Sequence, residues 1–188
     1  MRIILHSMHK EIIPLLTKFV SYHTIAGEKS AKEECLDWIE QTFLSPRRSA
    51  ARSRSAIEDA PYLFLQHPNP TLLWFAHIDV VPGTEKQFTL QQDGDKLYGR
   101  GTSDMKGNSL PFLMAYRDAI KEGSDPPVSI LLTSDEETAG PTIPTLLQEK
   151  KLGEIPVAFT PDTADRIVVE HKGVAWCELS CKGKGAHA

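Results

Sequence analysis

The stretch LLWFAHIDVVPG, residues 72–83, joins an apolar run to a histidine and an acid. The run of apolar residues at positions 72–76 predicts a strand that is buried on both faces of a sheet. His77 and Asp79 follow this run, and a Pro-Gly pair then turns the chain away. Because side chains alternate along an extended chain, these two polar side chains project from the same side. The stretch therefore predicts a core strand that delivers a polar pair at its carboxyl end.

Strands and helices alternate on both sides of this central strand. A hairpin is predicted with its turn at Asp93 and Gly94, a pair that favours tight turns. Because the strands alternate with helices, we expect an α/β fold with a mostly parallel central sheet and helices on both faces. The other predicted strands are YLFLQ at residues 62–66, VSILLTS at 128–134 and IPVAFT at 155–160, and the hairpin is FTLQQDGDKLYG at 88–99.

Apolar residues at helical spacing predict the helices. Proline fits the first turn of a helix, where its missing N–H group has no partner to lose, so we place Pro14 and Pro111 in first turns. The predicted helical segments lie around residues 12–19, around 36–43, from about Ser109 to Lys121 and within 141–151.

An arginine-rich stretch, SPRRSAARSRSAIEDAP at residues 45–61, separates the second helix from the strands. Its arginines could contact RNA, but no aromatic residues are interleaved with them for base stacking. We therefore interpret the stretch as a solvated loop and a polar edge strand.

The composition is that of a globular protein and narrows the classes of partner. Of 188 residues, 40% are apolar, and 21 basic residues against 25 acidic residues give a formal net charge of -4. That charge favours binding of neither nucleic acid nor an anionic membrane.

The sequence has no signal peptide and no membrane-spanning apolar run, so we expect a cytoplasmic protein. Three cysteines without a Cys-x-x-Cys pair predict neither a disulfide framework nor a cysteine-based zinc site.

Polar residues follow the predicted core strands at their carboxyl ends. In open α/β sheets these ends face a common crevice, so we expect the polar side chains to converge. A cluster of acids repels itself unless cations lie among it, and imidazole with carboxylates suits zinc, manganese or cobalt. Within HID, Asp79 is placed to orient the imidazole while His77 binds a metal. The converging residues are His77, Asp79, Asp135, Glu136, Glu137 and Asp162, with Asp104 in the glycine-rich loop before the third helix.

Each of these residues has a simpler interpretation when it is taken alone. A histidine at a strand end is more often a surface residue than a ligand. Acids before a helix complement its dipole, Asp104 could cap the third helix, and Asp162 could belong to a turn. Taken together, the simpler interpretations require several coincidences at one edge of the sheet, which favours a shared site.

Two other kinds of catalytic site are not supported. GRGTSDMKG, residues 99–107, has Asp104 where a dinucleotide-binding loop carries its third glycine, and no phosphate-binding loop pattern occurs. Ser103 lies outside a Gly-x-Ser-x-Gly pattern, so a serine-esterase nucleophile is not indicated.

The order of five motifs resembles the M20 metallopeptidases, a family that includes deacylases and dipeptidases. The resemblance spans roughly residues 9–188 and implies the catalytic domain of a zinc peptidase, which cleaves an amide bond in a small peptide or an N-acyl amino acid. It also implies a homodimer in the complete protein. The motifs are AHIDVVPG at residues 76–83, LYGRGTSDMKG at 97–107, LLTSDEETAG at 131–140, FTPDTAD at 159–165 and GKGAHA at 183–188.

The resemblance also implies roles for individual residues. Two divalent cations are expected, with zinc preferred and manganese or cobalt as alternatives. They lower the pKa of a water molecule that Glu136 deprotonates as general base, and Glu136 then passes the proton to the leaving amine. His187 resembles a family histidine that stabilises the oxyanion, commonly across a dimer. The metal ligands implied are His77 and Asp162 for one cation, Glu137 for the other, and Asp104 as the bridge between them.

Position 162 carries information on the substrate. Several deacylases of the family have Glu where this chain has Asp162, whereas its dipeptidases and aminopeptidases tend to have Asp. The residue therefore favours a peptide with a free amino terminus. Asp165 is an alternative ligand, and we prefer Asp162 because it directly follows a predicted strand.

Members of the family are longer than this chain, which affects the expected domains. We assign residues 1–172 to the N-terminal part of the catalytic domain and residues 173–188 to the first strand of a lid or dimerisation domain. A further metal-ligand histidine is expected beyond Ala188, so we expect the 188-residue chain alone to be inactive. The alternative is a non-catalytic metal-binding or interaction module derived from such an enzyme.

Overall fold

The computed structural model of the protein describes residues 2–44 and 51–162, together with residues 168, 170, 173, 177–180 and 183, and it describes side chains from residue 11 onward. The helices are α1 (Arg2–Val20), α2 (Lys29–Ile39), α3 (Lys106–Lys121) and α4 (Thr142–Gln148). A π-helical turn, Glu40–Leu44, extends α2, and two 3-10 turns span Glu85–Phe88 and Glu136–Thr138. The strands are β1 (Ala51–Ile57), β2 (Ala60–Gln66), β3 (Leu72–His77), β4 (Gln91–Asp93), β5 (Lys96–Tyr98), β6 (Val128–Thr133) and β7 (Ala158–Phe159).

The main sheet has the strand order β1-β2-β6-β3-β7. Strands β6, β3 and β7 are parallel neighbours, and β2 is antiparallel to both β1 and β6. The register pairs Ala76 with Leu132 and His77 with Thr133, so β3 and β6 end at the same level. This arrangement confirms the predicted mostly parallel central sheet and places the polar residues that follow both strands at one edge.

Helices cover both faces of the sheet, as predicted. On one face α1, α2 and α3 pack against the sheet, where Trp74 stacks on Phe112 with ring centroids 4.1 Å apart. On the other face α4 and the segment after it contribute Leu146 and Leu152, which pack against Leu131 of β6. Burial of these apolar side chains supplies the driving force for folding, and it fixes the strand that carries His77 between two packed layers.

The arginine-rich stretch forms the edge strand β1, whose side chains are exposed along nearly its whole length. The prediction of a polar edge strand is confirmed for residues 51–57, while residues 45–50 lie outside the described residues. The hairpin also forms, as β4 and β5 pair in a separate two-stranded sheet with Gly94 in the left-handed region at φ +60°. Glycine adopts this conformation without a steric penalty.

The proline placements were wrong for both helices. Pro14 lies well inside α1, which begins at Arg2, because the apolar spacing used for the prediction starts only at Ile12 and carries no information on the residues before it. Helix α3 begins at Lys106, three residues earlier than predicted, since the N–H group of Ser109 already donates to the carbonyl of Met105. Pro111 therefore lies in the second turn of α3.

The last predicted strand is also shorter than expected. Of IPVAFT at residues 155–160, only Ala158 and Phe159 pair with β3, and both are exposed. The strand predicted within residues 173–188 lies largely outside the described residues.

Candidate metal centre

His77 is the last residue of β3, and its side chain is held in place by the buried strand. It is 3% exposed, and its backbone N–H donates to the sulfur of Met105 at 3.2 Å. Ile78 continues the parallel pairing, because its N–H donates to the carbonyl of Thr133. The apolar run before His77 therefore determines where the imidazole lies.

The two ring nitrogens of His77 face different partners. Nδ1 lies 3.0 Å from the backbone carbonyl oxygen of Asp79, which can only accept, so Nδ1 carries a proton. Nε2 points the other way, 3.1 Å from Oδ1 of Asp104. In the neutral ring Nε2 is thus the nitrogen with a free lone pair, which is the tautomer that a metal ligand needs.

Three carboxylates surround Nε2 of His77. Oδ1 of Asp104 is the nearest, Oε2 of Glu136 lies 3.8 Å away, and Oδ1 of Asp162 lies 3.9 Å away. His77, Asp104 and Asp162 offer ligand atoms that all lie within 4.8 Å of one another, so they form a group that could hold a metal ion. An imidazole nitrogen with carboxylate oxygens is a donor set that suits zinc, manganese and cobalt.

Asp79 connects His77 to the turn after β6. It is 2% exposed, and its Oδ2 accepts the backbone N–H of Glu137 at 3.0 Å. Its Oδ1 lies 3.4 Å from Nδ1 of His77 but accepts no hydrogen bond from the described residues, so this contact is an ion pair rather than a hydrogen bond. Asp79 therefore contacts the imidazole through its backbone carbonyl and its carboxylate, and the carboxylate also holds the backbone next to Glu136.

Asp104 lies in a tight loop and does not cap the following helix. The N-cap of α3 is Met105, and no side chain caps it. The peptide bond between Asp104 and Met105 is cis. Gly107 lets the loop close, because a side chain there would collide with the carbonyl of Thr102, and its N–H donates to the carbonyl of Gly101. The carboxylate of Asp104 is thus free to face His77 and is largely exposed.

Glu136 and Glu137 begin the 3-10 turn that follows β6. Glu136 reaches towards His77, whereas the carboxylate of Glu137 is outside the three-residue group that the described residues form. Glu137 contributes its backbone N–H to Asp79 instead. The structure therefore brings four of the predicted site residues together around His77, and Glu137 joins them through its backbone.

The pKa values reflect one histidine among several acids. Burial would lower the pKa of His77, but its contact with the Asp79 carboxylate, together with the charges of Glu136 and Asp162, raises it to about 9. Burial would raise the pKa of Asp79, but His77 outweighs this effect and lowers it below its usual value. Without a bound cation His77 is therefore protonated at neutral pH.

Three other acids have a pKa that is shifted in the opposite direction. Burial raises the pKa of Glu136, Glu137 and Asp162, and neighbouring carboxylates add to the effect although the charge of His77 opposes it. Negative charge is thus in excess at this edge of the sheet. A cation is the partner that would relieve it.

Comparison with known proteins identifies the family of the chain. The sequence profile described as peptidase family M20/M25/M40 matches residues 73–176, which is more than half of the chain. The chain belongs to this family. The match includes β3, the Asp104 loop, β6 and the segment that carries Asp162, so the resemblance predicted from the motifs is confirmed.

One curated M20 relative is the succinyl-diaminopimelate desuccinylase of Rickettsia bellii, which is 33% identical over 144 residues. That match covers 67% of this chain and 37% of the relative, so the chain spans about a third of the length of the curated relatives it matches. None of the helices among the described residues combines the length and the apolar character needed to cross a bilayer.

Solved structures of two dipeptidases share the fold. Human carnosine dipeptidase 1 gives a TM-score of 0.69 at 16% identity, covering 84% of this chain and 39% of that protein. The dipeptidase Dug1p from Saccharomyces cerevisiae gives a TM-score of 0.62 at 17% identity, covering 82% of this chain and 39% of that protein. At these identities the likeness concerns the fold alone.

Two residues of the predicted site, His187 and the alternative ligand Asp165, lie outside the described residues. Their roles, and the division of the chain at residue 172, stay predictions.

The sequence did not predict three buried residues that pack next to the candidate site. Met105 and Lys106 directly follow Asp104, and both are fully buried. Thr24, in the segment after α1, is also fully buried. Lys106 lies within the motif LYGRGTSDMKG, whereas the sequence offered no signal for Thr24.

Proposed function

We propose that this chain is the N-terminal part of the catalytic domain of a metal-dependent hydrolase that cleaves amide bonds. One observation carries the proposal: Nε2 of His77 faces Asp104, Glu136 and Asp162 within 3.9 Å. The backbone carbonyl of Asp79 accepts the hydrogen bond of the other ring nitrogen, and such a bond orients metal-binding histidines. Membership of the M20 family supports the same conclusion.

The described residues fit a divalent cation. His77, Asp104 and Asp162 would hold one ion, and Asp104 with Glu137 would hold a second, with zinc preferred over manganese or cobalt. Bound cations would polarise the amide carbonyl and lower the pKa of the attacking water. The proton on Nε2 of His77 must leave before that nitrogen can bind a metal, so metal binding should release a proton.

The residues of the chain itself account for proton movement and orientation. Glu136 is half exposed and lies beside the cluster, so it can meet a water molecule that enters from solvent. We assign it the general base, which takes a proton from water on its carboxylate and delivers it to the leaving nitrogen as the C–N bond breaks. Its raised pKa favours this double role, because a carboxylate with a higher proton affinity is a stronger base. Asp79 keeps His77 in place throughout.

The substrate class proposed is a small peptide or an N-acyl amino acid. The Rickettsia bellii relative is named a succinyl-diaminopimelate desuccinylase, and the two structural neighbours are named dipeptidases. An aspartate rather than a glutamate at position 162 favours the peptide substrate. The oxyanion role of His187, a homodimer, a lid domain that starts at residue 173 and a cytoplasmic location complete the proposal.

The experiment is an assay of the complete protein, of which we propose that these 188 residues form the N-terminal part, loaded with zinc, manganese or cobalt, on dipeptides and on N-succinyl amino acids. Glu136→Gln should reduce turnover by roughly 10²- to 10⁴-fold, because the general base is lost while the metal ligands stay. Metal binding, measured by calorimetric titration, should persist. Glu149→Gln is the matched control, since Glu149 lies at the end of α4 and pairs with Lys151 outside the cluster.

Two results would contradict the proposal. Full activity of the Glu136→Gln variant would remove the assigned base. Saturable metal binding without turnover of either substrate class would support the non-catalytic module instead.

A further inference from the structure

The segment Tyr22–Thr24, which follows α1, contacts both parts of the chain that carry the proposed ligands. Thr24 bonds to the residues on either side of Asp79: its hydroxyl donates to the carbonyl of Ile78 at 2.6 Å, and its carbonyl accepts the N–H of Val80 at 3.1 Å. Thr24, Ile78 and Val80 are all buried. The segment therefore holds the backbone around Asp79 directly.

The same segment holds the Asp104 loop through Lys106. Nζ of Lys106 donates to the carbonyl oxygen of Tyr22 at 2.8 Å and lies 5.5 Å from the centre of the Phe19 ring. The aliphatic stem of Lys106 packs against Gly101, which begins the turn that leads to Asp104. Because Lys106 is only two residues beyond Asp104 and is fully buried, it limits how far that carboxylate can move.

A third contact joins the two ligand-bearing parts to each other. The backbone N–H of His77 donates to the sulfur of Met105, which is fully buried between Asp104 and Lys106. The end of β3, the Asp104 loop and the segment after α1 thus each contact the other two next to the acidic cluster.

From these contacts we propose that Tyr22–Thr24 is a brace for the metal centre, in which Lys106 and Thr24 are positioning residues that set the separation of His77 and Asp104. The inference rests on the proposed function. Neither residue touches the substrate; each acts through the backbone of a proposed ligand or of its neighbour.

Burial of a lysine is not expected to stabilise the fold by itself. A charged group taken out of water loses its hydration, and this loss offsets much of the free energy that its new contacts supply. The Lys106 side chain passes the Phe19 ring and donates to a single backbone oxygen, that of Tyr22 in the segment after α1. Its effect on the metal centre should therefore be separable from its effect on folding.

The test measures binding of Co²⁺ to the full-length chain by calorimetry and by the visible absorption spectrum of the bound ion, alongside thermal unfolding of the chelated protein. Lys106→Met keeps the length of the side chain but removes the donor, and Thr24→Val keeps the shape but removes the hydroxyl. We expect each to weaken Co²⁺ binding roughly 10- to 100-fold and to change the absorption bands, as loss of outer supports does at other metal sites. Thr24→Ser retains the donor and should restore both readouts.

Lys18→Met is the matched control. Lys18 is exposed and lies 4.5 Å from the centre of the Tyr22 ring, so it contacts the same brace from the solvent side without bonding to its backbone. This variant should bind Co²⁺ as the unmodified chain does.

Unchanged Co²⁺ affinity and absorption in both Lys106→Met and Thr24→Val, whatever their melting temperatures, would overturn the brace. If Lys106→Met does not fold, the Thr24 variants decide: equal affinity of Thr24→Val and Thr24→Ser would count against it. Failure of the unmodified chain to bind Co²⁺ would overturn the proposed function and the brace together. Normal binding by the unmodified chain and by both altered chains would contradict the brace alone.

Discussion

Two groups of acidic side chains in this protein have opposite surroundings. Between α2 and β1, the carboxylates of Asp37 and Glu40 each lie within ion-pair distance of an arginine, with Arg54 contacting both of them and Arg52 contacting Glu40. At the carboxyl ends of β3 and β6, the acids of the candidate metal centre share only His77 as a cationic neighbour within 4.0 Å among the described residues.

The arginine partners distinguish acids that stabilise the fold from acids whose charge is left for a ligand to neutralise. Arg54 also donates to the carbonyl of Glu33, so the edge strand is tied to α2 by paired charges. The pKa values of Glu136 and Asp162 are raised, which means that their ionised forms disfavour the folded chain. Sites that bind cations commonly cost stability in this way until the cation is bound.

The largest difference between the two groups should appear in metal affinity. Asp104→Asn removes a charged proposed ligand from the group of His77, Asp104 and Asp162, so Zn²⁺ binding should weaken by more than about 100-fold. Loss of a residue that only hydrogen-bonds to a metal ligand typically has a smaller effect. Asp37→Asn removes an equivalent charge from the α2–β1 group and should leave affinity unchanged. Calorimetric titration of both variants measures this, and equal weakening in the two would show that bulk negative charge, rather than the cluster, binds the ion.

A smaller effect is expected on the stability of the α2–β1 group. Arg54→Ala removes contacts to Asp37 and Glu40 from a partly exposed position, so the free energy of unfolding should fall by about 1 kcal/mol. Zn²⁺ affinity should not change. Urea unfolding of the chelated protein measures the loss, and a loss several times larger would mean that β1 detaches from the sheet.

The sequence predicted the layers of the fold well because they follow from apolar periodicity. The run before His77 and VSILLTS predicted β3 and β6, and the register that aligns their ends follows from parallel pairing. Helix ends were predicted less well. The start of α3 depends on the hydrogen bond from Ser109 to Met105, and no periodicity reports such a bond.

The candidate site was predictable as a set of residue types but not as a set of contacts. Strand ends pointed to His77, Glu136 and Asp162, the glycine-rich loop added Asp104, and the motif resemblance supplied their roles. The contact of Thr24 with Ile78 joins residues 54 positions apart in the chain, and it became visible only in the folded structure. Long-range support of this kind leaves no local pattern in the sequence.

A further prediction concerns stability in the absence of metal. Asp162 has a pKa above its ordinary value of 3.8, so the folded chain binds its proton more tightly than the unfolded chain does. The folded chain therefore loses stability as pH rises and Asp162 gives up its proton, and at neutral pH the ionised carboxylate destabilises the fold. Asp162→Asn should raise the free energy of unfolding of the chelated protein by a few tenths of a kcal/mol at pH 7, roughly the size of a surface charge effect.

The gain from Asp162→Asn should disappear as pH falls and Asp162 becomes protonated in the unmodified chain. In contrast, Asp37→Asn should lower stability at neutral pH, because it removes a partner of Arg54. Urea unfolding at several pH values compares the two. A loss of stability in chelated Asp162→Asn at neutral pH would show that Asp162 makes favourable contacts other than with a cation.

The smallest expected effect is the response of these variants to salt, and here the two acidic groups should move in opposite directions. Exposed charges interact over about 30 Å at 0.01 M ionic strength but over only about 3 Å at 1 M. Salt should therefore weaken the repulsion around Asp162 and, equally, the attraction between Arg54 and its acids. In the chelated protein, added NaCl should reduce the gain in free energy of unfolding that Asp162→Asn gives. It should also reduce the loss that Arg54→Ala causes. Relative to the unmodified chain, the first difference therefore falls towards zero and the second rises towards zero. Unfolding measured in dilute and in concentrated NaCl tests this, and a shift of both variants in the same direction would mean that salt acts on the fold as a whole and not on the two charge groups.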